Sequence, residues 1–287
     1  MPVGRGPRSG FTLVELLITL VLLLLVGGIT YQVIITQQRV SRRQAEQVAL
    51  QANIRTGALV LPNELRELGH GASGTDLLAM HADSITYRAM RAVALACRAW
   101  QDSVWIRGDR YFGYRQPVAG RDSVFLFVDG NPATSTDDRW VALGLQGVAP
   151  AGGTCAPGVP ARRLRFTTPL SAADLAGVVV EAPLRTYEIM QVKEYVSNGQ
   201  NWLGARSISA GETVQPVLGP LAADGLTLTY RDSTGAVTTV RGRVRTIQVT
   251  IRGVTDEAVR NGAGQGALAF LADSLVTTVA LRNTPGL

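Results

Sequence analysis

Two cysteines, two histidines and a single lysine are all that this 287-residue chain offers to thiol, imidazole and amine chemistry. It contains no H-E-x-x-H, C-x-x-C, G-x-S-x-G or S-x-x-K pattern, and Lys193 sits in Val192-Lys193-Glu194 rather than in a phosphate-binding loop. ATP hydrolysis of its own is therefore excluded, and no residue is assigned a catalytic role. His70 and His81 both fall in a Gly/Ser-rich stretch and are expected to be exposed loop histidines. Gly262-Ala263-Gly264-Gln265-Gly266 has neither the spacing nor the flanking strand and helix of a dinucleotide site, so no cofactor is implied. Long apolar runs are also scarce. Only Phe11–Ile29 qualifies, and without a second stretch of about 18 to 20 residues a multispan transporter is ruled out.

What is present is a segregated composition. Hydrophobic residues make up 46% and charged residues 17%, which suits a folded protein of one or two domains, slightly apolar for a wholly soluble one. The formal charge of +6 includes Arg5 and Arg8 ahead of the apolar run, leaving 6 − 2 = +4 beyond them. The arginines are dispersed and form no long basic block, which argues against a dedicated nucleic-acid module while leaving weak contact with an anionic polymer open. Cys97 and Cys155 are an even pair on what would be the exported side of an anchor, where oxidising conditions let a bridge persist. A disulfide between them is expected; two separate buried thiols are the alternative.

An ordinary secretory signal runs from a basic start through an apolar stretch to a small-residue cleavage site. Here a hydrophilic leader, Met1–Gly10, ends in glycine, the apolar stretch begins only at Phe11, and no A-x-A site follows. The run Gly10-Phe11-Thr12-Leu13-Val14-Glu15-Leu16-Leu17 resembles the type IV prepilin signature. That resemblance implies cleavage after Gly10 by a dedicated prepilin peptidase and methylation of the new N-terminal Phe11. Glu15 requires a physical reason, because a carboxylate within a membrane helix costs about 2.5 to 3.5 kcal/mol on insertion scales. The helix N-terminus offers partial compensation, and a position near the headgroups would let the side chain snorkel. The resemblance implies a third arrangement, in which the α-amino group of a neighbouring subunit pairs with Glu15 in a helix bundle.

No proline interrupts Phe11–Leu61, a rod of about 76 Å if wholly helical. Ile54, Ala58, Leu61, Leu65 and Leu68 recur at helical spacing as one stripe able to cover a sheet. Pro62 is expected to bend this helix and Gly69 to stop it. Gly27-Gly28 is either a site of close helix packing or a place where the helix loosens on leaving the bilayer. Beyond Gly69 the period becomes strand-like, with candidate strands at Ser84–Arg88, Ser103–Arg107, Ser123–Val128, Arg163–Thr167, Arg185–Val196, Leu226–Arg231, Val244–Arg252 and Ser274–Leu281. Asp232-Ser233-Thr234-Gly235 reads as a hairpin turn, and Gly152–Pro160 and Asn261–Gly266 read as loops. The fold class is α+β, and the resemblance implies a pilin-like roll, a long helix packed on an antiparallel sheet. Its parts are a leader at 1–10, a membrane-spanning half-helix at 11–35, an exported amphipathic half at 36–69 and an exported β-rich domain at 70–287.

The helix end Asn63–Gly69, Pro220–Leu226 running into a strand, the Val244–Ile251 strand and the ending Thr277–Asn283 are similar to PilW-like minor pilins and to J-type minor pseudopilins of type II secretion. The function implied is structural and non-enzymatic: a subunit held in the bacterial inner membrane with its domain in the periplasm, then added to a pilus or pseudopilus. Its implied partners are other pilin subunits, the prepilin peptidase and, indirectly, the assembly platform and ATPase. The competing class is a membrane-tethered periplasmic protein that binds DNA or a glycan, or an enzyme, on a pilin-like anchor. Asp129, Asn131, Asp137 and Asp138 offer oxygen ligands of the kind calcium takes, though their spacing is not an EF-hand's and a solvated turn is the favoured reading, so no metal site is assigned. Trp100, Trp105, Tyr111, Phe112 and Tyr114 interleave with Arg107, Arg110 and Arg115, which suits single-stranded nucleic acid. Sheet packing accounts for the same residues without a ligand and is preferred.

Overall fold

A computed structural model describes residues 10–71, 74–131, 133–260 and 266–282. Leader residues 1–9, loop residues 261–265 and Asn283 lie outside the described residues. Helix α1 covers Leu13–Arg66. A short pair, β1 (His70–Gly71) and β2 (Gly74–Thr75), precedes β3 (Leu77–Met80), β4 (Ser84–Trp100), β5 (Ser103–Gly113), β6 (Ser123–Val128), β7 (Arg139–Ala156) and β8 (Val159–Phe166). One turn of helix, α2 (Ala172–Ala176), leads to β9 (Ala182–Ser197), β10 (Gln200–Ser207) and β11 (Gln215–Arg231). A 3-10 turn at Arg241–Arg243 is followed by β12 (Thr246–Val254), β13 (Val259–Arg260), β14 (Leu268–Ala269) and β15 (Ala272–Ala280).

Two compact units divide the chain. The first runs to Leu50 and includes Thr255–Leu271. In it, β13 pairs antiparallel with β14, and the Glu46 carboxylate accepts the backbone N–H groups of Asp256 at 3.1 Å and Glu257 at 3.4 Å. The excursion is thereby fastened to α1 by one side chain that satisfies two donors of a turn.

The second unit, Gln51–Val254 with Ala272 onward, holds the sheet. Its organising elements are β4 and β9, which pair antiparallel from Ser84↔Lys193 to Ala96↔Ala182. The first part of β4 and the last part of β9 belong to an open sheet ordered β3-β4-β9-β10-β11-β12-β15. The other halves belong to a closed ring, in which β9 pairs with β6, then β7, β8 and β5 follow, and β5 returns to β4. Ring closure is a correction to the expected pilin-like roll: a long helix before a mostly β domain is present, but the sheet also closes into a six-stranded barrel. Closure leaves those six strands no free edge along their paired lengths. Inside the barrel pack Ala94, Ala96, Val104, Ile106, Val124, Leu126, Leu143, Leu145, Leu164, Phe166 and Leu184.

The end of α1 covers the open sheet. Ile54, Leu61, Leu65 and Leu68 are buried as the stripe required, opposite Ile85, Tyr87, Leu203, Leu226, Val249 and Ile251 of the sheet's apolar face. Gly57 lies in the same stripe because a Cβ there would run into the side chains of Leu218 and Ile251. Asn53 Nδ2 donates to the Gly219 carbonyl at 3.0 Å. The helix passes through Pro62 and ends at Arg66, three residues before the expected stop. Buried neighbours Leu61 and Leu65 hold the turn that has lost one backbone hydrogen bond. Gly69 instead donates to Asp76 Oδ2 at 2.9 Å. At the far end, the N–H of Arg282 donates to the Arg66 carbonyl.

All eight expected strands exist, most of them longer than read. The strands β3, β7 and β10 escaped notice, and Gly152–Pro160 is a β7–β8 hairpin turning at Gly158 (φ 77°) rather than a loop. In β7, Gly144, Gly147, Pro150, Gly152 and Gly153 punctuate the sequence like a linker, yet the strand runs through them, its register against β8 shifting three times. The turn at Asp232–Gly235 is as expected, with Gly235 at φ 83° and its N–H donating to Asp232.

Where the open sheet passes into the barrel, a buried ion network sits on the β4–β9 pair. Met90↔Tyr187 and Ala92↔Thr186 are successive partners, so Arg91 is the extra residue of a bulge. Its Nε donates to Glu188 Oε1 at 2.5 Å, and its Nη1 reaches Glu64 of α1 at 3.2 Å. Glu188, 2% exposed, also accepts from Arg121 Nε at 2.6 Å and Ser207 Oγ at 3.1 Å. Arg121 continues to Glu212 at 2.8 Å, and Arg115 grips buried Asp122 with both Nη atoms at 2.6 and 2.7 Å. Burial alone would raise the Glu188 pKa; the Arg121 hydrogen bond and the Arg91 charge outweigh it and hold the carboxyl below the ordinary range.

Cys97 and Cys155 form the expected disulfide, with Cα atoms 5.5 Å apart. Each is the extra residue of a bulge, Cys97 between Ala96 and Arg98 against β5, and Cys155 between Thr154 and Ala156 against β8. The bond thus ties β4 to β7, strands separated in the ring by β5 and β8.

Arg91→Ala should destabilise the full chain in detergent by about 3 kcal/mol, the low end for breaking a buried pair because Arg121 still serves Glu188. A carboxyl depressed in the folded state stabilises above its unfolded pKa and loses that contribution as pH falls. Thermal midpoints should therefore drop below about pH 4.5, less steeply in Glu188→Gln. For the disulfide, a sequence separation of 58 residues predicts that reduction lowers stability by about 4 kcal/mol on the chain-entropy account, read from melts with and without reductant.

Candidate anchor and assembly site

The site begins with a short non-helical stretch, Gly10-Phe11-Thr12, before α1 starts at Leu13. Thr12 caps the helix. Its Oγ1 accepts the Glu15 N–H at 3.3 Å and its carbonyl accepts the Leu16 N–H at 3.2 Å. Thr12 and Glu15 hold the first and last places of a capping-box pattern, with the threonine half of the box made. The Gly10–Phe11 peptide, just ahead of the helix, is accessible: Phe11 is 81% exposed and nothing crowds Gly10.

From Leu13 to Ile34 the helix is apolar around its circumference and exposed, and it is long and apolar enough to cross a membrane. Three of its threonine hydroxyls are satisfied internally: Thr19 donates to the Leu16 carbonyl, Thr30 to Val26 and Thr36 to Gln32, at 2.8 to 2.9 Å. Such back-bonding leaves these threonines no stray donor for lipid to reject. Glu15 is the one charged side chain between Phe11 and Gln38. It sits in the first turn, where N–H groups lack intrahelical partners and the helix dipole favours a negative charge.

A family model of the prokaryotic N-terminal methylation motif matches residues 5–31. This is a type IV prepilin-like N-terminus. The match covers about a tenth of the chain and stops well short of the β domain. No curated protein and no solved structure matches the chain. The prepilin-like motif together with the exposed apolar helix fits a membrane-anchored protein and a pilin-like precursor processed by prepilin peptidase.

The other candidate residues fall apart on the fold. Asn131 Oδ1 accepts from Ala133 N and Asp137 Oδ1 from Thr134 Oγ1, which is turn chemistry. Among the described residues, no three His, Cys, Asp or Glu side chains gather as a metal site. Some desolvation and the nearby charges of Asp129 and Asp137 raise the Asp138 carboxyl above its usual range. His70 is a correction: it lies half-buried in β1 with Nε2 2.8 Å from the Val244 carbonyl, not in an exposed loop. His81 is exposed, and its carbonyl accepts from Tyr230.

The aromatic and arginine cluster splits in two. Arg115 serves Asp122, Arg107 serves Asp109 and Glu181, and the Tyr111 hydroxyl donates to the Arg115 carbonyl. Phe112 and Tyr114 are exposed, as is Trp100, while Trp105 lies under Arg98 with the guanidinium carbon 4.1 Å from the ring centre. Sequence reading missed Glu188, Arg91 and Arg121 altogether. A carboxylate two residues after Thr186 in an otherwise apolar-alternating strand was the one available signal.

Proposed function

We propose that this chain is a minor pilin or minor pseudopilin: a precursor cut after Gly10, methylated at Phe11 and built into a type IV pilus-like filament, where it takes part in initiating assembly. In this reading residues 1–10 are the leader, 11–35 cross the inner membrane, 36–69 form the exported half of the helix and 70–287 the periplasmic domain. The observation that carries it is Glu15, a lone charge on a turn otherwise open to lipid, a few residues behind an accessible Gly10–Phe11 peptide. Cleavage would place a new α-amino group four residues before it in sequence. Within one chain the helix N-terminus compensates the Glu15 carboxylate only in part, through N–H groups without intrahelical partners and the dipole, whereas a neighbouring helix can present a full positive charge. Pairing between subunits neutralises both charges where water is scarce.

The β domain fits a subunit at which assembly begins better than one repeated along a shaft, since it is large for a fibre's main subunit. Chemistry is performed on this protein by its peptidase, and the energy for assembly comes from a separate ATPase acting through a membrane platform. Sibling minor subunits are the expected neighbours.

Intact-mass measurement of the protein from a host with prepilin peptidase should show loss of Met1–Gly10 and gain of one methyl. In the same host Glu15→Ala should still insert in the membrane but enter fibres poorly. A retained leader would overturn the processing step, and normal incorporation of the Glu15 variant would overturn the charge pairing.

A further inference from the structure

The outer wall of the barrel carries two rows of side chains that none of the assembly chemistry uses. Arg98 on β4 is directly opposite Trp105 on β5, and Trp105 is directly opposite Arg163 on β8. Two residues along, Trp100, Ser103 and Arg165 form the next row in the same register. Alternation fixes which way these rows face: Val104, Leu164 and Phe166, between and beside them, fill the barrel, and Ala99, between Arg98 and Trp100, packs against that core. Trp100 is 60% exposed, Arg98 and Arg163 are exposed, and Arg165 is shared with Asp102 at 2.8 Å. Three guanidiniums against one carboxylate leave a local charge of +2.

We propose that this wall, centred on Arg98, Trp100, Trp105 and Arg163, is a binding surface for single-stranded nucleic acid. Strands lie about 4.8 Å apart, so Arg98 and Arg163 stand about 10 Å apart across Trp105, a span on which a backbone can rest while its bases turn to the wall. Trp100, largely exposed, offers its indole to a base. Arg98 lies over the Trp105 ring, its guanidinium carbon 4.1 Å from the centre, and a guanidinium held on a ring in this way keeps N–H groups free for phosphate. Aromatic platforms interleaved with arginine are what sequence-tolerant single-strand binding uses. The excess positive charge and the planar faces favour a nucleic acid over a neutral glycan, which would call for carboxylates and amides among the aromatics. This surface stands independently of the processing of the N-terminus.

The test uses the full chain in non-ionic detergent and a fluorescein-labelled oligothymidylate of about 20 residues, followed by anisotropy and by tryptophan emission. Binding should quench the tryptophans and weaken about 20-fold between 50 and 200 mM salt, as about three phosphate contacts require. Arg98→Glu with Arg163→Glu should lose more than about tenfold in affinity, and Trp100→Ala about 5- to 100-fold. Arg243→Glu with Arg252→Glu, an equal charge change at exposed positions just before and on β12, should change affinity less than about threefold. Absence of binding by the unaltered chain, or equal losses in the β12 variant, would overturn the proposal. So would an acidic polysaccharide that competes as well as the oligonucleotide without quenching tryptophan, which would assign the wall to a glycan.

Discussion

A carboxylate taken out of water must be met by cations and donors or it will not stay charged, and Glu188 is the place where this domain depends on that rule. It lies on β9 at the point where the open sheet becomes a barrel. Around it converge Arg91 from β4, Arg121 from the loop before β6 and Ser207 from the end of β10. Arg91 carries the connection onward to Glu64, so the end of α1, the open sheet and the barrel are joined through one buried acid. Apolar contacts hold each layer together, but they are non-directional. The ion network is what fixes the register at which the layers meet, because a one-residue slip of β4 against β9 would withdraw Arg91 and leave Glu188 buried without its partner.

Bulges make that arrangement possible. Arg91 and Cys97 are both extra residues in β4, and Cys155 is one in β7. An extra residue bends its strand and redirects a side chain that regular pleating would have placed elsewhere. In β4 one bulge delivers a guanidinium to a buried acid and the next delivers a sulfur to a strand that is not its neighbour. The same strand thus leaves the sheet, enters the barrel and is tied across it within about ten residues.

What could be read from the chain beforehand followed physical scale. The prepilin-like beginning is written in adjacent residues, Gly10 to Glu15, and was plain. The amphipathic stripe from Ile54 to Leu68 and the alternating strands at Leu226–Tyr230 and Ile247–Ile251 were also plain, because burial on one face leaves a period in the sequence. Barrel closure was not, since it depends on which strand edges meet: β4 and β9 lie about a hundred residues apart, and nothing local states that each has two partners on one side. In β7 the glycines and Pro150 look like those of a linker, although a bulged strand runs through them. The helix continues through Pro62 because tertiary packing of Leu61 and Leu65 outweighs one missing hydrogen bond. The ion network was invisible for a similar reason, its members coming from five separate segments.

That β4 and β9 serve two sheets at once also sets how the domain comes apart. Neither the barrel nor the open sheet owns a complete set of strands, so melting one removes two strands of the other. The region should open as a single cooperative block, with partial opening confined to places such as β15, an exposed edge paired on one side only. A domain built this way has no half-folded form in which the barrel survives alone.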